Sequence, residues 1–483
     1  MDTDMGMVMA GVRRKDHCRL VVCGLSACVA FSVTQAQARD WKTEAGFSVS
    51  SIYSDNGSSD DESGSSEFVT KVSPNLLIKR DGGRARFSFI GSAELTAGGE
   101  DVDRFSPRIS SSFDTELIEN FAYLDTNLQV SQRSIDALGP TNGDDPLNRN
   151  SNRTETYTYR IEPYLQKTYQ NGNRFKLATF FQGQESSDDS VSGADTSGAE
   201  FEVARELAGS KATVSLSADY RDTDTDNSAS SFSTIQAGLG YQFTEHFALT
   251  GTIGRENNDF ETVRDTNDGR IWKVGAVWTP SSRTRLNVGY VDRFFGSTPT
   301  LELSHKLKRS VLTLSYSRDL SDSNSLIEGQ STFSDRDAAG DPVDPFTQLV
   351  QQLSANSVTE GAFINEKLKL GWSVSGRRSK FGLDISYSNL DYEDGRDDEE
   401  VSELGLSFSR QISRVSTLNV GLIGTRSSRG TEEADEYELR LGWDRRLDDD
   451  TSVGFLYQFI DRDANVGDSY QENRIQLRFT TRL

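Results

Sequence analysis

The chain ends on its best amphipathic strand. In Asn473–Leu483, apolar or β-branched side chains stand at Ile475, Leu477, Phe479, Thr481 and Leu483, with Gln476, Arg478, Thr480 and Arg482 between them. Successive residues of a strand point to opposite faces, so one face is greasy and the other wet up to the terminal carboxylate. A transmembrane β-barrel needs such an ending. Its last strand must close against its first, and no backbone group can be left unpaired in lipid.

The same period of two recurs along the chain. Ala212, Val214, Leu216, Ala218 and Tyr220 alternate with polar residues, as do Ile235, Ala237, Leu239, Tyr241 and Phe243. Trp272, Val274, Ala276 and Trp278 repeat the pattern, and so do Tyr437, Leu439, Leu441 and Trp443. Each run has about the ten residues that a tilted strand needs to cross the hydrocarbon layer. Short connections are expected at 80–83, 208–210, 244–246, 280–283, 306–309, 376–379 and 447–450. Long polar ones are expected near 54–66, 132–153, 184–197, 222–231, 256–269, 319–363, 391–400, 426–435 and 461–471. Alternation of short periplasmic turns with long external loops is the barrel pattern. Threading it through the chain predicts an all-β, antiparallel transmembrane barrel of about 22 strands, within 18 to 24, with both ends on the periplasmic side. The stretch 97–131 is the weakest, with one strand over Phe121–Ser131 and a poorer one over 108–118. A β-solenoid would show a fixed repeat, which the varied connections exclude.

The first 38 residues read as a secretory signal peptide. Arg13, Arg14, Lys15 and Arg19 precede the apolar run Leu20–Phe31, and Ala36-Gln37-Ala38 is a small-residue cleavage site. Residues 39–483 are then the barrel. Leu25-Ser26-Ala27-Cys28 also has the shape of a lipoprotein box, but the apolar run continues past Cys28. All three cysteines (Cys18, Cys23, Cys28) and all four methionines fall in this leader. The segment beyond it holds no disulfide, thiolate metal site or cysteine nucleophile.

A formal net charge of −22 argues against nucleic acid as a partner, because phosphates demand a positive surface. Hydrophobic residues make up 35 %, low for a globular chain, yet Phe and Tyr are plentiful and recur in register. A watery lumen reconciles the two, since every second strand residue can be polar. Acidic stretches at 54–66 and 391–400 read as solvated outer loops, or as places where divalent cations bridge to lipopolysaccharide.

One region is more specific. It runs from Trp278 to Tyr290, then through Arg293-Phe294-Phe295-Gly296, Leu301–His305 and Leu314–Ser317. With Phe113–Asp125, Val130–Gln132 and Ile161–Tyr164, it resembles outer-membrane β-barrel proteins associated with the PEP-CTERM/exosortase system. The resemblance implies a barrel that serves exopolysaccharide export and surface display of sorted proteins. It singles out Arg293, Phe294, Phe295, Gly296 and His305 as motif positions, and it brings no catalytic residue or cofactor.

Beyond the leader there are two histidines, His246 and His305, both at periplasmic strand ends, where an outer-rim hydrolase would not place its base. An enzyme is not expected. Asp222–Asp226 resembles half a calcium loop but lacks the glycine and the bidentate glutamate, so no metal is expected there either. In the loop 319–363, Asp344 and Pro345 can start a helix that aligns Phe346, Leu349, Val350 and Leu353, a candidate for narrowing the pore. Asp219, Lys273, Glu438, Arg440 and Asp444 are candidate lumen-lining residues. The expected role is a porin-like or structural barrel for exopolysaccharide export. The alternatives are a general porin for small hydrophilic solutes, or a closed barrel acting in surface attachment or assembly. Expected partners are outer-membrane lipid, lipopolysaccharide, the polysaccharide with its export machinery, and the barrel-assembly machinery through the C-terminal strand.

Overall fold

The computed structural model describes residues 41–57, 65–98, 105–140, 152–188, 191–207, 209–322, 361–467 and 469–483. The leader with Cys28 lies outside them, as does the helix expected around Phe346–Leu353.

The described residues form 22 strands, β1 to β22 in chain order, each antiparallel to the next. β1 (Trp41–Ser54) pairs with β22 (Tyr470–Arg482) from Gly46↔Arg482 to Ser54↔Arg474, so the sheet closes on itself. Gly46 is needed at this seam, where a Cβ would come within 2.6 Å of the Thr481 carbonyl oxygen. Closure removes every sheet edge, the condition lipid imposes.

One face of the cylinder is apolar through a continuous register. On β20 (Glu432–Arg446), Leu441 stands opposite Tyr457 of β21 (Thr451–Ala464) and Val420 of β19 (Ser416–Arg429). At the seam, Phe479 lies between Val453 and Val49. Side chains such as Tyr437 and Leu477, each 60 % exposed, project outward from this face. In water so many exposed large hydrophobics would drive association; in a bilayer they are solvated by acyl chains. On β10 (Ala229–Thr244) the apolar face runs from Ile235 to Phe243. That span runs about 27 Å along the strand and climbs about 20 Å once tilted, most of the roughly 25 Å height of an outer-membrane apolar band.

Most strands have 13 to 16 residues, so their outer ends rise beyond this band. β13 (Thr284–Arg293) and β14 (Gly296–Lys306) have only 10 and 11, and Phe294-Phe295 joins them in a two-residue turn. Gly296 adopts φ 112°, a conformation L side chains rarely take. The Arg293–Gly296 motif is thus an external hairpin that leaves a notch in the outer wall, a connection the expected loop pattern lacked. The outer connection after β3 (Ala85–Ala97) was likewise missing from it.

Two connections expected to be long are tight. β9 (Ala212–Thr225) reaches β10 through 226–228, and β19 reaches β20 through 430–431. Alternation continues through these acidic segments, and polar side chains do not end a strand whose two faces both meet water. Asp222–Asp226 is therefore mostly strand, not loop. The weak stretch divides into β4 (Phe105–Ile118) and β5 (Ala122–Ser134).

Replacing Leu441 by Arg should destabilise the barrel by about 2–4 kcal/mol if the residue sits near the bilayer midplane. Replacing neighbouring Gly442, on the opposite face, by Ser should cost under about 1 kcal/mol. Urea unfolding from lipid vesicles measures both; equal costs would contradict the assignment of faces.

Candidate functional site: the lumen and its outer mouth

The face opposite the apolar band is polar. Glu438 and Arg440 share it and form an ion pair, and the Gln458 amide donates to Glu438. Asp444 accepts from Asn419 Nδ2 at 3.1 Å and from Arg478 Nη2 at 3.1 Å. Asp219 on β9 and Lys273 on β12 (Gly269–Ser281) lie close enough to interact electrostatically, and Lys273 also feels Asp319. These five residues are joined to neighbouring charges and amides. From β10 through β18 (Glu399–Gln411) the same face carries small residues, among them Gly238, Gly275, Gly289, Gly371, Gly382 and Gly405. They leave that arc of the lumen unobstructed by their own bulk.

Higher up, charges are buried in pairs. Glu472 (0 % exposed) pairs with Arg474 and accepts from Ser54 Oγ at 2.5 Å. Glu94 holds Lys71 at 2.9 Å and Arg108 at 3.6 Å, and Arg462 lies 3.6 Å from Glu436. Buried ions persist only with such partners.

The mouth is crossed by the chain itself. A cylinder of 22 strands is roughly 40 Å wide, so β5 and β19, eight strands apart through the seam, would stand roughly 36 Å apart in a circular section. Yet Asp136, two residues beyond β5, reaches Arg429 of β19 at 2.8 Å, and Arg429 also binds Glu399 at 2.5 Å. Glu399 opens β18 (Glu399–Gln411) and is 1 % exposed. Ala137 packs on Val401, and Arg462 donates to the Leu138 carbonyl. Asn152 fixes the loop from behind: its amide donates to the carbonyls of Asp136 (2.8 Å) and Pro140 (3.3 Å), and its oxygen accepts from Asp136 N–H at 2.6 Å.

A second crossing exploits the notch. On β15 (Ser310–Asp322), even-numbered residues such as Leu314 belong to the lipid face. Asp322 continues that face, but its carboxylate accepts from Thr223 Oγ1 at 2.9 Å and lies 3.5 Å from Arg221, both on the lumen face of β9. The outer ends of β15, β16 (Ala362–Ser375) and β17 (Ser379–Tyr392) therefore tuck inside the rim of β9–β12. Phe363 and Ile364, on opposite faces of β16, are both 0 % exposed, as this two-layered wall requires. Outside it, Arg264 binds Glu393 at 2.8 Å and Asp391 at 3.2 Å. Arg396 pairs with Asp394 at 2.7 Å and lies over Tyr392. The acidic stretch 391–400 is thus partly neutralised by an arginine from another loop. Burial, then Asp391, Glu400 and Asp397, push the Asp398 carboxyl above its usual range.

The motif residues seal the notch. Arg293 binds Glu256 (0 % exposed) at 2.5 Å and lies 5.1 Å from the Phe295 ring centroid; Phe294 N–H donates to Glu256 at 3.3 Å. Phe232, Phe260 and Phe294 form a chain of ring contacts beside them. His305 lies at the other end of its hairpin, near the periplasmic edge of the lipid face, with Nδ1 2.8 Å from Thr284 Oγ1. His246 stands in the turn between β10 and β11 (Phe247–Asp259). Sequence reasoning did not find Asp136, Glu399, Arg429 or Arg264. Their partners lie 30 to 293 residues away, and nothing local marks them.

No family model matches the sequence, and no curated protein matches it. Among solved structures, the chain is similar to a variant of the ferric enterobactin receptor of Pseudomonas aeruginosa in complex with enterobactin. Identity is 12 %, coverage 93 % of this chain and 82 % of that one, and the TM-score 0.50. It is also similar to two variants of the FrpB iron transporter of Neisseria meningitidis, at 10 % and 11 % identity. These alignments cover 94 % and 93 % of this chain and 83 % and 84 % of theirs, each with a TM-score of 0.50. At such identities the likeness establishes the 22-stranded outer-membrane barrel fold and carries no ligand across.

Arg293→Met leaves a buried carboxylate without its cation and should cost about 3–5 kcal/mol. Adding Glu256→Gln should recover part of that loss. Unfolding of the single and double variants in detergent tests the pair; strictly additive losses would show that the two side chains do not interact.

Proposed function

We propose that the chain is an outer-membrane conduit, closed at rest on its outer side, that serves an exopolysaccharide-export and exosortase-linked surface system. The observation that carries this reading is a continuous polar lumen face crossed at one end by Asp136–Arg429. A polar wall can replace the hydrogen bonds a hydrophilic solute loses on leaving bulk water, and the loops decide access. The resemblance of Trp278–Ser317 to exosortase-associated barrels supports the choice of polysaccharide. A general diffusion porin would want a clear mouth, which these crossings oppose. A closed barrel acting in attachment or assembly is the second reading, favoured by the same crossings. Lipopolysaccharide would surround the outer rim, and the C-terminal strand would engage the assembly machinery before closure.

In planar bilayers the wild-type chain should be silent for most of the recording. Asp136→Ala combined with Arg462→Gln removes the two polar grips on the crossing loop, leaving only the Ala137–Val401 contact, and should give frequent open-channel events. A deletion strain should lose surface polysaccharide. A double variant as silent as wild type, with polysaccharide unchanged in the deletion strain, would favour attachment over passage.

A further inference from the structure

At the periplasmic end of the lumen, Tyr123 of β5 and Tyr164 of β6 (Arg153–Thr168) stand directly opposite each other. Their rings stack with centroids 4.9 Å apart and planes 14° from parallel. Both are half-buried and lie on the lumen face, opposite in parity to Leu124 and Leu165. We infer that this pair is the platform of a subsite for one pyranose ring of a neutral polysaccharide. The inference deepens the conduit reading and rests on it for the direction from which the polymer arrives.

The surroundings select the ligand class. The Tyr164 hydroxyl is held by Asp125. Glu162, next along the sheet, accepts from Arg160 at 2.8 Å and from Lys176 at 3.4 Å. The Lys176 ammonium also sits 5.7 Å from the Tyr164 ring centroid, so the outer side of that ring already faces a cation. Tyr123 differs. Among the described residues, its aromatic contact is with Tyr164 alone; Glu116 of β4 stands opposite it on the other side and accepts from Asn120 N–H, and the Tyr123 hydroxyl makes no hydrogen bond. The pair therefore offers one flat apolar face and one spare hydroxyl, bordered by carboxylates with unused lone pairs.

A pyranose has the matching shape: a face of C–H bonds and a rim of hydroxyl donors. Aromatic rings bind such faces because their apolar surface is large and rigid. Carboxylates are acceptor-only when ionised, which suits hydroxyl donors. Glu200 shares Lys176 at 3.0 Å, and Asp114 and Glu116 stand beside Asp125 and Tyr123, so carboxylates outnumber cations around the pair and an acidic polymer would be repelled. A cross-strand pair kept only to stabilise the sheet would be indifferent to sugar.

The test uses the full-length chain in a zwitterionic detergent, since maltoside and glucoside detergents carry competing sugars. Maltohexaose and cellohexaose are titrated calorimetrically. At least one should bind; Tyr123→Ala should weaken it about tenfold or more, and Tyr123→Phe should stay within about threefold of wild type. Heated and unheated gel mobility confirms that each variant is folded. No binding of either oligosaccharide, or equal affinity in Tyr123→Ala, overturns the subsite. Tyr123-dependent binding alongside intact surface polysaccharide in the deletion strain would uphold the subsite and overturn the export role. A deletion defect without Tyr123-dependent binding would do the reverse.

Discussion

Inside a membrane every backbone N–H and C=O must find its partner in the sheet, and closure is the only way a sheet can provide this. From that requirement the rest of the molecule follows. Once β1 and β22 join, each strand has a lipid side and a lumen side, and the period of two assigns every residue to one of them. A one-residue slip at any of the 22 pairings would turn the lumen-facing row of a strand, charged on β20 and largely Gly and polar on β10, into lipid. The register that holds Phe479 beside Val49 and Val453 is therefore enforced by solvent on both sides, with no packed core behind it.

Above the membrane that enforcement ends. Both faces of a strand meet water or protein there, and the wall is free to bend. The short β13–β14 hairpin removes support from its neighbours, and the ends of β15–β17 slide inside those of β9–β12. Buried charge then takes over the role that lipid plays lower down. Glu256, Glu393, Glu399 and Glu472, each at most 1 % exposed, each hold an arginine. Such pairs add little stability over apolar packing, but they penalise any arrangement that separates them. They specify one arrangement of the outer mouth.

The membrane part was legible in the sequence because the pattern is local and physically enforced. Alternation alone marked the strands through Tyr220, Tyr241, Trp278 and Trp443, and the count of 22 followed. It also placed Glu438, Arg440 and Asp444 opposite the lipid face. The connections were less legible. Acidic composition at 222–231 and 426–435 suggested loops, yet acidic residues continue a strand where water wets both faces. The two-residue turn at Phe294-Phe295 was hidden because two phenylalanines do not look like a turn; Gly296 was its one local signal. The cross-lumen contacts were not legible at all. Asp136 and Arg429 are 293 residues apart, and their meeting depends on how a whole cylinder is flattened at one end.

The account depends most on the claim that the chain crosses its own lumen between β5 and β18. Ala137 and Val401 touch at that crossing, and the three native cysteines all lie at or before residue 28. Cysteines placed at 137 and 401 in intact cells should cross-link to each other with a short bifunctional thiol reagent and alter the mobility of the unfolded chain on gels. If instead both thiols reacted freely with a membrane-impermeant maleimide and never cross-linked, the mouth would be open and the closure described here would be wrong.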